Sequence, residues 1–355
     1  MNQLKNALEN IQPLYEQPMK EAQEKLDGLL KPLGSLGKLE EIAVQMAGIT
    51  GKIQHDTFKK NIVMMCADNG AVEEGISACP QNVTVILTNN FPQKNTGVGV
   101  LADFANAALT VVDIGINAEM KHPQIIDKKI AYGTKNMAKE PAMTREQAIE
   151  AIETGIEMVD GLVKEGYNLI GTGEMGIGNT ATSAAVLSVL AGIDSDTVVG
   201  KGAGMTDEQY EIKKNVVRKA IQVNKPDAKD VIDVISKVGG FDIAGLCGCF
   251  LGAAKNRVPI VIDGFISSAA ALCAYKLKPL AKQYMIASHQ SAEPGAVYMI
   301  EALEMQPMLN MNMRLGEGSG CPLAFYIIES AMQVMSKMTS FDEAMLNTDY
   351  LVDIR

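Results

Sequence analysis

Six times along this chain a short apolar run meets an acid, a histidine or a glycine: Asn61–Cys66 (then Ala-Asp-Asn-Gly), Leu109–Gly115, Asn168–Gly171, Thr197–Gly200, Val258–Asp263 and Tyr284–His289. Runs of this length, with little polar–apolar alternation, read as strands buried on both faces, as in parallel sheets covered by helices. Between them lie stretches with helical spacing, such as 144–165, where Thr144 followed by Gln147 has the form of a capping box. The alternation predicts an α/β fold: a Rossmann-like, doubly wound parallel sheet, with ligands collecting at the carboxyl ends of its strands.

The two ends of the chain read differently. Residues 3–30 place apolar side chains at helical spacing, broken at Pro13 and Pro18. They predict two amphipathic helices outside the sheet. A turn rich in Pro and Gly (Lys31–Gly37) then feeds a helix reaching about residue 51, and a Met-rich helix runs from Pro322 to Met338. The expected division is N-terminal helices over 1–55, a parallel-sheet domain over 56–305, and a loop with C-terminal helices over 306–355. The helices of both termini would form a small second domain.

Composition excludes several functions. Hydrophobic residues at 47% and charged residues at 21% fit a folded globular chain. A net charge of −10 and a pI of about 5.0 argue against nucleic acid and anionic membranes as partners. Without Trp there is little from which to build a base-stacking platform. The six cysteines lack CxxC spacing and lie mostly in apolar runs, as reduced thiols of a cytoplasmic protein would. Three histidines, 55, 122 and 289, are too scattered for a zinc site. The N-terminal stretch has no apolar core of a signal peptide, and no run reaches membrane-spanning length. The expectation is a soluble cytoplasmic protein without metal or cofactor.

Two glycine-rich stretches carry the chemistry. Gly171, Gly173 and Gly176 spell GxGxxG after a strand and before a helix, which raises a dinucleotide fold. That fingerprint needs an acid closing the next strand, whereas Asp194 and Asp196 precede the next strand-like run. The other reading is an anion site: backbone N–H groups over Gly176, Gly178, Asn179 and Thr180 at a helix N-terminus. Gly202 and Gly204 repeat the theme, and Lys213 on the following helix is either a solvated lysine or a phosphate partner. The second stretch is Arg314-Leu-Gly-Glu-Gly-Ser-Gly320, one carboxylate among three glycines. Glu317 is either a cap for the next helix or an acid whose pKa partial burial raises into a range useful for proton transfer.

Taken together, Gly173-Glu-Met-Gly-Ile-Gly-Asn-Thr180, Lys237-Val-Gly-Gly-Phe-Asp242, Asp263-Gly-Phe265, Ser288-His289 with Ser291-Ala-Glu293, and the 314–320 loop resemble the nicotinate-nucleotide:dimethylbenzimidazole phosphoribosyltransferase (CobT) family nearly end to end. The resemblance implies transfer of ribosyl phosphate from nicotinate mononucleotide to a lower-ligand base, with Glu317 as catalytic base. It implies phosphate contacts from the 173–180 loop, Gly202, Gly204 and Lys213, and Glu174 on the donor side. Asp263 and Ser291 would meet ribose or nicotinate, while Gly316 and Gly318 flank the base. It also implies a homodimer; a heterodimer with a paralogue stays open. Cys79 and Leu87 stand where relatives specific for dimethylbenzimidazole often carry Ser and Gln. Together with Leu315 they would line the acceptor pocket, and an apolar Leu87 leaves room for a phenolic acceptor.

Overall fold

The computed structural model describes residues 3–55, 57–202 and 204–354. Helices α1 (Gln3–Asn10), α2 (Glu16–Gly28) and α3 (Lys38–Thr50) precede strand β1 (Lys60–Ala67). Helices α4 (Val83–Asn90) and α5 (Gly97–Phe104) lead to β2 (Ala107–Gly115) and β3 (Ile125–Asp127). Then come α6 (Arg145–Lys164), β4 (Leu169–Met175), α7 (Asn179–Ala191), the single turn α8 (Ser195–Val198), α9 (Asp207–Asn224), α10 (Val231–Val238) and α11 (Phe241–Lys255). Strand β5 (Ile260–Ile262), α12 (Phe265–Leu277), β6 (Met285–Ala287), α13 (Gly295–Leu303) and α14 (Gly320–Lys337) complete the order.

The six strands form one parallel sheet in the order β3-β2-β1-β4-β5-β6. The chain winds outward from β1 through β2 to β3, then returns to β4 and winds the other way. Such a reversal opens a crevice at the carboxyl ends of the two central strands, here β1 and β4. All eight residues of β1 are buried, and its two faces feed different cores. Val63, Met65 and Ala67 join the layer of α1, α6, α7, α11 and α12, while Ile62, Met64 and Cys66 join α2, α3, α5 and α14. The period of two along one strand therefore builds both layers.

Local chemistry explains the flanking helices. The capping box at α6 is present: Thr144 Oγ1 accepts the Gln147 N–H at 3.2 Å and Gln147 Oε1 accepts the Thr144 N–H at 3.0 Å. Glycines let α6 and α11 cross closely, since a Cβ on Gly155 would lie 2.7 Å from the Cys249 nitrogen. The chain ends meet on the face of α2, α3 and α14. There the Leu30 N–H reaches Thr339 O at 2.9 Å and the Phe341 N–H reaches Gly28 O at 3.0 Å. Helix α1 packs on the opposite layer, against α6 and α11. Among the described residues no helix is long and apolar enough to cross a membrane.

Five of the six expected strands form. Thr197–Gly200 does not: Asp194 caps the turn of α8 by accepting the Asp196 N–H at 2.9 Å, and this local cap overrides the β-branched composition. The sixth strand is β3, three residues paired to β2, too short to register as a periodic pattern. Strand β4 also runs further than the sequence suggests, through Gly171 and Gly173 to Met175. The first two glycines of GxGxxG therefore lie inside a strand. They do not form the tight turn that a dinucleotide fingerprint requires.

Candidate active site

The 314–320 loop leaves the α13 side of the molecule and lies over the ends of β4 and β5. Gly316, Glu317 and Gly318 have φ of 76°, 58° and 80°, three consecutive left-handed residues. For glutamate that conformation costs roughly 1–2 kcal/mol, so the surroundings must impose it. Two buried carboxylates do so. Glu174 Oε1, on β4, accepts the Glu317 N–H at 3.2 Å. Asp263, just after β5, accepts the Gly318 N–H on Oδ2 at 2.9 Å and the Gly320 N–H on Oδ1 at 2.7 Å.

The glycines are dictated by the same contacts. A Cβ on Gly316 would sit 2.7 Å from Glu174 Oε1, and one on Gly173 would sit 3.0 Å from the Glu317 carbonyl oxygen. A bare strand and a bare loop touch backbone to backbone. The Glu317 side chain points toward the start of α5, with Oε2 3.8 Å from where a Cβ on Gly97 would lie; Leu315 packs against the same glycine. Helix α14 starts after Ser319 without a side-chain cap, so the capping role considered for Glu317 does not apply.

Burial governs the electrostatics here. It raises the Glu317 carboxyl to about 7, and the nearby Asp263 charge adds to the rise. Burial and the Asp242 charge lift Glu174 to about 8, against the pull of its bonds from Asn179 and the Glu317 N–H. Asp263 is raised to about 7 by burial, although two loop N–H groups favour its charged form. An acid near 7 is matched to proton transfer at neutral pH. Among these three, Glu317 is the one whose carboxylate is not consumed in holding the loop.

Most of the residues expected to hold an anion lie around the start of α7. Gly178, at φ 94°, precedes Asn179, whose Nδ2 donates to Glu174 Oε2 and, at 3.0 Å, to Asp242 Oδ2. Lys213, from α9, is 1% exposed and donates to Thr180 Oγ1 at 2.7 Å and Gly200 O at 2.8 Å. It is not a solvated helix-face lysine. Burial pulls its ammonium down to about 8, and Glu293 opposes the fall. A Cβ on Gly202 would lie 3.2 Å from Thr180 Oγ1 and 3.5 Å from Lys213 Nζ, so these three converge. Gly176 is wedged at the end of β1, its missing Cβ 3.0 Å from Asp242 Oδ2. Gly204 is exposed and lies apart from this contact set. Ser291 accepts the Glu293 N–H at 3.3 Å and lies beside Gly264, next to Asp263.

Cys79 and Leu87 are half-buried and pack on the core shared by Val83, Met175 and Ile177. Helix α4, which carries Leu87, is tied to the start of the anion loop: Thr84 Oγ1 accepts the Ile177 N–H at 3.1 Å. Sequence reading missed Asp242 as a site residue. Its only signal was an acid directly after Gly239-Gly240-Phe241.

Chain and fold both match a known set of proteins. The family profile described as phosphoribosyltransferase (DBI_PRT) matches residues 11–346. The chain belongs to this phosphoribosyltransferase family. The transferase is 60% identical over 356 residues to the nicotinate-nucleotide–dimethylbenzimidazole phosphoribosyltransferase of Clostridium tetani, covering 100% of this chain and 98% of that one. It is 54% identical over 338 residues to the protein of the same name from Ruminiclostridium cellulolyticum, covering 95% and 96%. The crystal structure of CobT from Thermus thermophilus matches it with a TM-score of 0.90 at 34% identity, covering 94% of this chain and 99% of that one.

Proposed function

We propose that this transferase moves ribosyl phosphate from nicotinate mononucleotide to dimethylbenzimidazole, giving α-ribazole phosphate and nicotinate in cobamide lower-ligand assembly. The observation that carries the reading is Glu317: its main chain is pinned by Glu174 and Asp263, and its carboxyl is raised to about 7 beside the start of α5. The donor phosphate rests on Lys213, Thr180 and Gly202 at the N-terminus of α7, where Gly178 turns the chain into the helix; Gly176, packed on β1, shapes the loop, and Gly204 stays outside the contact set. Asn179 and Glu174 border the donor; Asp263 and Ser291 lie on its ribose or nicotinate side. The acceptor lies against Cys79, Leu87 and Leu315. Its ring nitrogen attacks C1′ on the face opposite nicotinate, so configuration inverts. One C–N bond forms as the bond to nicotinate breaks, and the acceptor's N–H proton passes to Glu317. Holding the two rings in line supplies much of the acceleration.

The half-buried, apolar Leu87 supports a second reading of the acceptor, in which a phenol or p-cresol is used. A homodimer belongs to the same proposal, supported by the exposed Phe104 and Tyr326, whose ring centroids lie 5.5 Å apart on α5 and α14; so does a cytoplasmic location. The deciding experiment is nicotinate release by the purified chain with dimethylbenzimidazole or with p-cresol as acceptor. Release with the first alone supports the benzimidazole reading, and release with p-cresol supports the phenolic one. No release with either overturns the transferase proposal for the isolated chain.

A further inference from the structure

Asp242 stands at the start of α11, wholly buried behind Gly176, and has no place in the proposed chemistry. Its two oxygens are nonetheless both engaged. Oδ1 accepts the Ile243 N–H at 3.0 Å, and Oδ2 accepts the Asn179 Nδ2 at 3.0 Å. The same amide nitrogen donates its other proton to Glu174 Oε2, while Glu174 Oε1 receives the Glu317 N–H. A continuous series of hydrogen bonds thus runs from α11 through α7 and β4 to the left-handed glutamate.

We propose that Asp242 is a positioning residue for Glu317, acting through Asn179 and Glu174. The Asn179 amide is the joint of the series. Its nitrogen offers two protons and its oxygen offers lone pairs, and the two ends have nearly the same shape. Facing Glu174 alone, the amide could rotate to other partners with little penalty. With Asp242 present, a flip would set the amide oxygen against Asp242 Oδ2, so Asp242 fixes the amide with its nitrogen inward. That in turn fixes Glu174 Oε2, and with it the Oε1 that holds the Glu317 N–H. The bridge also tolerates two acids that would otherwise repel at this distance, with Asp68 and Asn69 close by just after β1.

The other half of the loop supplies an internal control. Gly318 and Gly320 hang on Asp263, which takes no part in this series. The kinetic part of the test rests on the transferase reading; the exchange part does not. In Asp242→Asn, a single side-chain oxygen must serve both Ile243 and Asn179, and one bond is lost. Amide hydrogen exchange is expected to speed up about tenfold or more at Glu317 while Gly318 and Gly320 keep their wild-type rates. In the nicotinate-release assay kcat is expected to fall about 10- to 100-fold, with KM for nicotinate mononucleotide within about twofold. Because a buried variant can fold poorly, Asn179→Ser severs the series from the other side and is expected to give the same selective change at Glu317. Unchanged exchange at Glu317, equal acceleration at all three amides, or a raised KM with kcat intact would each overturn the proposal. A wild-type chain that releases no nicotinate would remove the transferase reading, and the exchange pattern would still decide this one.

Discussion

The proposed donor half and the proposed acceptor half of the crevice are built on different terms. On the donor half, Lys213, Thr180, Asn179 and Glu174 are fixed by hydrogen bonds among side chains and backbone at the ends of the sheet and the start of α7. On the acceptor half, Cys79, Leu87 and the 57% exposed Leu315 make apolar contacts from a loop, a two-turn helix and the rim. Buried polar groups tolerate few substitutions, because each unpaired partner costs about 1–3 kcal/mol. Apolar walls tolerate changes of shape. The half proposed to hold the invariant anion is locked, and the half proposed to meet the variable ring is left adaptable. Glu317 stands at the border, its backbone held by the locked half and its carboxylate turned to the adaptable one.

That contrast can be broken most severely at the border. Glu317→Gln keeps the shape and removes the base, so kcat is expected to fall about 10²- to 10⁴-fold while KM for nicotinate mononucleotide stays within about threefold. A loss confined to KM would mean that Glu317 only binds. Next in size is Lys213→Met, expected to lower kcat/KM for nicotinate mononucleotide about 10- to 100-fold. KM for the acceptor should hardly move; a matching rise there would show that the two halves are not separate.

The pH profile sharpens the same division. Glu317, raised to about 7, becomes a base as pH climbs through that value, so activity rises on the acid limb. Lys213, lowered to about 8, loses its charge as pH climbs through that value, so the hold on phosphate weakens on the alkaline limb. A bell centred between about 7 and 8 is expected in kcat/KM, and Lys213→Met should flatten the alkaline limb while keeping the acid one. The smallest effect belongs to the acceptor wall. Leu87→Gln with Cys79→Ser is expected to shift the ratio of kcat/KM for dimethylbenzimidazole over p-cresol about 3- to 30-fold. The donor KM should not follow.

How much of this was legible in the sequence depends on whether the determinants are local. Strand β1 announces itself through consecutive apolar residues bounded by a turn, and Glu317 through glycine-rich neighbours, whereas Lys213 stood out from an ordinary helix-face lysine only through the family resemblance. Strand β3 has too few residues to carry a period, and α8 owes its helical turn to a single aspartate cap. The network behind Glu317 joins residues 143 and 63 positions apart, Glu174 to Glu317 and Asn179 to Asp242. No window along the chain contains such a pair. Glu174 and Asp263 were expected to meet substrate, whereas the structure shows that they also hold the loop, a role that exists only once β4 and β5 lie side by side.

The meeting of the two chain ends has a consequence for synthesis. Helices α2 and α3 leave the ribosome early, with Leu26, Ile42 and Met46 on an apolar face that α14 helps to cover. Helix α14 begins at Gly320, so at ribosomal rates of about 5–20 residues per second that face waits roughly 15–60 s for this partner. The loop bearing Glu317 arrives in the same late stretch of chain. A truncated product would carry the sheet and the start of α7 yet lack Glu317, the proposed base. It would also leave an apolar face uncovered, as a chaperone or a protease would recognise.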